Sequence, residues 1–318
     1  MSPGKTRSLR AEFLYLAGGA AVALSANIVF ARLLVPNTSY GFLQGALHEL
    51  RSLKSPVDWI LLGDSTSNTS VRPESLCPRL GVTCLNLSTV GDLSLVEEAW
   101  LLELYLRRFP PPHRVIMTHA FPAYGISPIS DRLEKGFDVG LKDIEDLKPR
   151  GFSRFSPQWW RWLGDRVAPC RFMRAELAES LEEIAEDFLP EAKPVPGPPQ
   201  SPFSWRRSDY EPIAAGNREA LEAIAEMAAA RGFPVDIVDS PVSDLLLRHP
   251  SDVAARGSVK KDLIAFCRRH EGFTFIANLP ESYPASMMLR RGSLIHAGHP
   301  ASVRFSAKLL EYYRAGRR

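Results

Sequence analysis

The run Val57 to Leu62, VDWILL, is almost unbroken in its apolar character and stops abruptly at Gly63-Asp64-Ser65. A strand that reads this way is buried on both faces, which requires a parallel sheet with helices covering each side. Similar short runs follow at Thr83–Leu87, Arg114–Thr118, Val235–Val238 and Phe273–Ala277. Helical periodicity is expected over Phe42–Leu53, Leu93–Arg108, Asn217–Ala230, Val259–His270 and Ser302–Arg314. Alternating strands and helices predict an α/β three-layer sandwich around a central parallel sheet, joined by right-handed crossovers. The ligand site of such a sheet lies outside the carboxyl ends of its strands.

The N-terminus carries a different signal. Lys5, Arg7 and Arg10 precede an apolar run from Phe13 to about Ala31. A membrane span needs roughly 20 apolar residues, and basic residues ahead of it favour a cytoplasmic N-terminus. The expectation is one transmembrane helix within residues 1–35, with residues 36–318 forming an extracytoplasmic α/β domain. A signal peptide cut after Ala26 is the rival, but Leu24 is not small and the run stays apolar beyond that point. Between about 120 and 210 the strand–helix pattern lapses. Trp159, Trp160 and Trp162, an acidic helix over Arg174–Phe188 and the proline-rich Glu191–Pro202 read as an insertion.

Composition excludes more than it selects. With 45% hydrophobic and 24% charged residues the chain is an ordinary globular protein. A net charge of +3 argues against a nucleic-acid partner, because the few basic pairs suit a solvated surface. Of the four cysteines, none forms a zinc-like spacing. Cys77 and Cys84 are either bridged in an exported domain or buried thiols.

The polar groups able to do chemistry fall at strand ends. Ser65 and Asp239 directly follow strands, Gly91 lies shortly after the second, and His119 follows the third. His296 and His299 precede the final helix. A serine hydroxyl becomes a nucleophile when a histidine accepts its proton and a carboxylate orients that histidine. A helix beginning at Ser65 would aim backbone N–H groups at a developing oxyanion. Asp239 is a possible acid from another strand end, while Asp64 and Asp92 suit turn or cap positions.

Ile60-Leu61-Leu62-Gly63-Asp64-Ser65 resembles the first block of the SGNH (GDSL-like) hydrolase superfamily, and Asn86-Leu87-Ser88-Thr89-Val90-Gly91 is similar to the block bearing its oxyanion glycine. The likeness is to the membrane-tethered members acting on exported polysaccharides and cell-envelope polymers. It implies a flavodoxin-like SGNH fold, Ser65 as nucleophile, and Ser65 and Gly91 as oxyanion donors. Two departures stand out. Met117-Thr118-His119-Ala120-Phe121 lacks the asparagine donor of the third block, leaving His119 as a substitute donor or a strand-end structural residue. The D-x-x-H block is Ser293-Leu294-Ile295-His296 or His296-Ala297-Gly298-His299, without the aspartate in either register. His296 is preferred as base from its spacing to the last helix.

The resemblance therefore implies a serine esterase or O-acyltransferase working through a Ser–His dyad on acyl, chiefly acetyl, esters of an exported glycan, beside a membrane-bound acyl donor protein. That chemistry needs no metal or organic cofactor. The alternative is a catalytically degenerate domain that binds glycan or scaffolds an export complex. An unrelated flavodoxin-like binding module is a third reading, and the chain lacks the glycine-rich phosphate loop it would need.

Overall fold

The computed structural model describes residues 14–15, 17–29, 39–89, 94–125, 211–277, 279, 282–288, 295 and 297–316. From Ser39 onward the described elements are α1 (Ser39–Ser52), β1 (Trp59–Gly63), α2 (Ser65–Ser70), α3 (Pro73–Leu80), β2 (Cys84–Asn86), α4 (Ser94–Leu106), β3 (Arg114–His119) and α5 (Phe121–Gly125). Then come α6 (Ala215–Arg231), β4 (Val235–Asp239), β5 (Val242–Ser243), α7 (Pro250–Arg269), β6 (Phe273–Ile276), β7 (Ser282–Tyr283) and α8 (His299–Ala315).

The main sheet has the order β2-β1-β3-β4-β6 and every pair in it is parallel. This is the flavodoxin-like winding, whose switch point lies between β1 and β3. The expected α/β sandwich is therefore present. A second small parallel sheet, β5-β7, was not anticipated.

Side-chain alternation along the strands builds two cores. Ile60, Leu62, Val115, Met117, Val235 and Ile237 face the layer of α4, α6 and α7. Leu61, Ile116, Val238 and Ile276 face the layer of α3 and α8, around Phe305 and Leu309. Helix α4 (SLVEEAWLLELYL) buries Leu95, Val96, Trp100, Leu101, Leu102 and Tyr105. A helix apolar all round sits inside the molecule, and α4 packs on α6, α5 and β1. Cys77 and Cys84 are bridged, tying α3 to the start of edge strand β2.

Residues 14–15 and 17–29, within the segment expected to span the membrane, are helical. Among the described residues no helix is long and apolar enough to cross a membrane. The apolar Leu14, Val22 and Val29 of this segment are exposed. Two helix starts also move: α7 begins at Pro250 rather than Val259, and α8 at His299 rather than Ser302. The insertion begins as α5, and residues 126–210, with the three tryptophans, lie outside the described part.

Candidate active site

Ser65 is the first residue of α2, immediately beyond β1. Helix α2 (STSNTS) contains no strong helix former, so its six residues are held by neighbours rather than by propensity. Asp64 is its N-cap, accepting from the Thr66 amide at 2.8 Å. The other Asp64 oxygen accepts from the Ala120 amide at 3.0 Å. One carboxylate thus fastens the end of β1 to the end of β3. Ser88 Oγ donates to Ser67 Oγ at 2.9 Å, and the Asn68 amide donates to the carbonyls of Ser88 and Thr89.

Gly63 permits this arrangement sterically. A Cβ placed there would lie 2.3 Å from Ser67 Cβ and 2.3 Å from the Thr118 carbonyl oxygen. Asp64, Thr66 and Ser67 are buried while Ser65 is half-buried. Ser65 thus sits, half-buried, among buried neighbours at the head of α2. Beyond β2, Thr89 N–H donates to the Gly63 carbonyl at 2.7 Å. Gly91 and Asp92 themselves lie outside the described residues.

His119 ends β3 and is fully buried, with Nε2 2.6 Å from Glu98 Oε1 of α4. Strand alternation directs it toward the α4 layer, whereas α2 packs on α8 in the opposite layer. Of the two expectations for His119, oxyanion donor or strand-end structural residue, the contact with Glu98 is the one seen here. Burial opposes charge on the imidazole, but the adjoining Glu98 carboxylate outweighs it and the His119 pKa is raised. Burial raises the Glu98 pKa, with His119 partly offsetting the effect. Glu97, next to it and equally buried, is pushed well above the carboxylate range by burial and then by Glu98. Burial is the first cause of the rise at both glutamates, while the close Glu98–His119 contact favours the charged forms of that pair. The sequence reading passed over Glu97 and Glu98, although two adjacent glutamates inside an otherwise apolar helix are a visible anomaly.

Asp239, the possible acid at the end of β4, accepts from Arg256 at 2.8 Å and Lys260 at 2.6 Å, both on α7. Its carboxylate is engaged by these two cations, and no described histidine shares it. His299 is exposed at the start of α8, with Nδ1 2.7 Å from Arg72 Nη2. The Arg72 Nε–H donates to Ser302 Oγ at 2.8 Å, and Nη1 pairs with Glu74 at 3.3 Å. His296 lies outside the described residues, but the chain after it is fixed. Ala297 pairs with Met288, and the Gly298 amide donates to the Met287 carbonyl at 2.9 Å. A polar groove of about 610 Å³ runs along this flank between Asn68, Asn86, Arg72, Glu74 and His299.

No family model matches the chain, and no curated protein matches it. Among solved structures it resembles a protein of Bacteroides fragilis provisionally named an acylhydrolase, at 12% identity and a TM-score of 0.39. That likeness covers 87% of this chain and 97% of the other. At such a score it carries no weight for function, so the reading below rests on this chain's own residues. Among the described residues no cluster of three or more His, Cys, Asp or Glu side chains is placed to hold a metal.

Proposed function

We propose that the chain is a serine-dependent ester hydrolase or O-acyltransferase of SGNH type with Ser65 as its nucleophile. The observation that carries this reading is the half-buried Ser65 at the head of α2, held over the β1 end by the buried Gly63, Asp64, Thr66 and Ser67. In the proposed reaction Ser65 Oγ attacks the ester carbonyl carbon as its proton passes to His296. The Ser65 and Gly91 amides stabilise the oxyanion. Collapse expels the alcohol, which takes the proton back, and leaves an acyl-serine. Water or a sugar hydroxyl then attacks that acyl group, giving the acid or a new ester and restoring Ser65.

The proposal extends to an exported glycan ester as substrate, a membrane-bound acyl donor as partner, and a membrane tether in the apolar N-terminal segment. The Cys77–Cys84 bridge supports export, since such bonds persist in oxidising compartments. A second reading, a non-catalytic glycan-binding domain, is favoured by the engagement of Asp239 with Arg256 and Lys260 and of His119 with Glu98. Turnover of p-nitrophenyl acetate by the full chain separates the two. Hydrolysis abolished by Ser65→Ala supports the enzyme; no hydrolysis by a folded wild-type chain supports the binding domain.

A further inference from the structure

Arg72 and His299, which the proposed reaction leaves unused, meet in the groove along α2. They are brought together by α8 packing on α2 and α3, and the contact is anchored from several sides. Arg72 donates through its backbone amide to Ser306 Oγ at 2.9 Å and through Nε to Ser302 Oγ at 2.8 Å, while Glu74 takes Nη1. The remaining terminal nitrogen, Nη2, meets His299 Nδ1 at 2.7 Å.

A guanidinium has donors and no acceptor. His299 Nδ1 therefore accepts, and the neutral ring carries its proton on Nε2. A base for a serine needs the reverse arrangement. Its serine-facing nitrogen must hold a lone pair, while the other nitrogen donates to an orienting carboxylate or carbonyl.

We infer that His299 is a substrate-positioning residue rather than the base, and that with Arg72 it offers donors to a neutral, hydroxyl-rich ligand lying in the groove. This rests on the reading of Ser65 as nucleophile only for the reaction, not for the binding. The groove has the size of a ligand site. Its walls supply carboxylates from Glu49 and Glu74 and donors from Arg72 and His299, beside the Asn68 and Asn86 side chains, which bond to each other and to the Ser88–Thr89 backbone. Two carboxylates stand there against one guanidinium, so the lining gives no general pull on an anion. It matches instead the alternating donors and acceptors of a polyol. Asn68 and Thr69 belong to the same helix as Ser65, so a ligand in the groove lies along the helix that carries the nucleophile.

The test uses the full chain, with xylohexaose as the binding probe and an acetylated xylo-oligosaccharide as substrate. Calorimetry on the Ser65→Ala chain is expected to show xylohexaose binding that weakens at least tenfold in Arg72→Ala and in His299→Ala. Part of it should return in His299→Gln, whose side-chain amide restores a donor. With active chain, His299→Ala should raise KM for the acetylated substrate about tenfold with little change in kcat, and a fluorophosphonate should still label Ser65. No xylohexaose binding, or binding indifferent to both substitutions, overturns the inference even if Ser65 proves catalytic. Loss of Ser65 labelling in folded His299→Ala also overturns it, by making His299 the base. If wild type turns over no ester, the function proposal fails while the binding measurement still decides the groove.

Discussion

The Asp64 carboxylate joins two strand ends: it caps α2 through the Thr66 amide and holds the Ala120 amide 3.0 Å away beyond β3. Because Ser65 sits between Asp64 and Thr66, its position depends on that bridge. Asp64→Ala removes an N-cap and leaves a buried amide without its partner, for a loss of about 2–4 kcal/mol. Asp64→Asn keeps one acceptor oxygen and should lose less. Urea unfolding of the three proteins checks the order. Equal stability of wild type and Asp64→Ala would remove the bridge from the account.

Gly63 is required by close approach, not by an unusual backbone angle. In Gly63→Ala the new methyl meets Ser67 Cβ and the Thr118 carbonyl, each 2.3 Å away. Helix α2 must then shift off the strand end, with an expected loss of about 1–3 kcal/mol and a larger proportional loss of Ser65 reactivity. Comparing thermal midpoint with the rate of serine modification tests this. A midpoint and rate both equal to wild type would contradict it.

The buried acid cluster sets a pH dependence. Glu97, Glu98 and His119 all have raised pKa values in the folded chain. The folded state therefore holds more protons than the unfolded one, and stability falls as pH rises. For the glutamates the decline starts above their ordinary value of 4.5. For His119 the contribution is full below 6.5 and lost as pH rises through its folded value. Glu97→Gln, a neutral isostere, should raise the melting temperature at pH 8 by a few degrees and flatten the decline. Melting curves from pH 5 to 9 check it; an unchanged slope would refute the assignment.

Cys77–Cys84 closes a short loop between α3 and β2. The chain-entropy model gives such a loop about 2–3 kcal/mol. Paired Cys77→Ser and Cys84→Ser substitutions should lower the urea midpoint accordingly. In protein secreted through an oxidising compartment, thiol alkylation should spare Cys77 and Cys84 until a reductant is added.

The strands were readable because VDWILL, RVIMT and FTFI are β-branched or apolar runs that only a sheet covered on both sides would bury. The helix starts were less so. Pro250 and Pro300 suit the first turn of a helix, and α7 and α8 begin at or just before them, ahead of the expected Val259 and Ser302. Ser65 was readable from the strand before it. Arg72 was not, because its partners His299, Ser302 and Ser306 lie more than two hundred residues away in sequence. The Arg256 and Lys260 partners of Asp239 were not legible either, since α7 brings them from 17 and 21 residues further along the chain.

The most direct test of the central claim is fluorophosphonate labelling of the full chain, with the modified peptide located by mass spectrometry. The account predicts one adduct on Ser65, absent in Ser65→Ala and at least a hundredfold slower in His296→Ala. A folded wild-type chain that takes no label, or takes it elsewhere, would contradict the account.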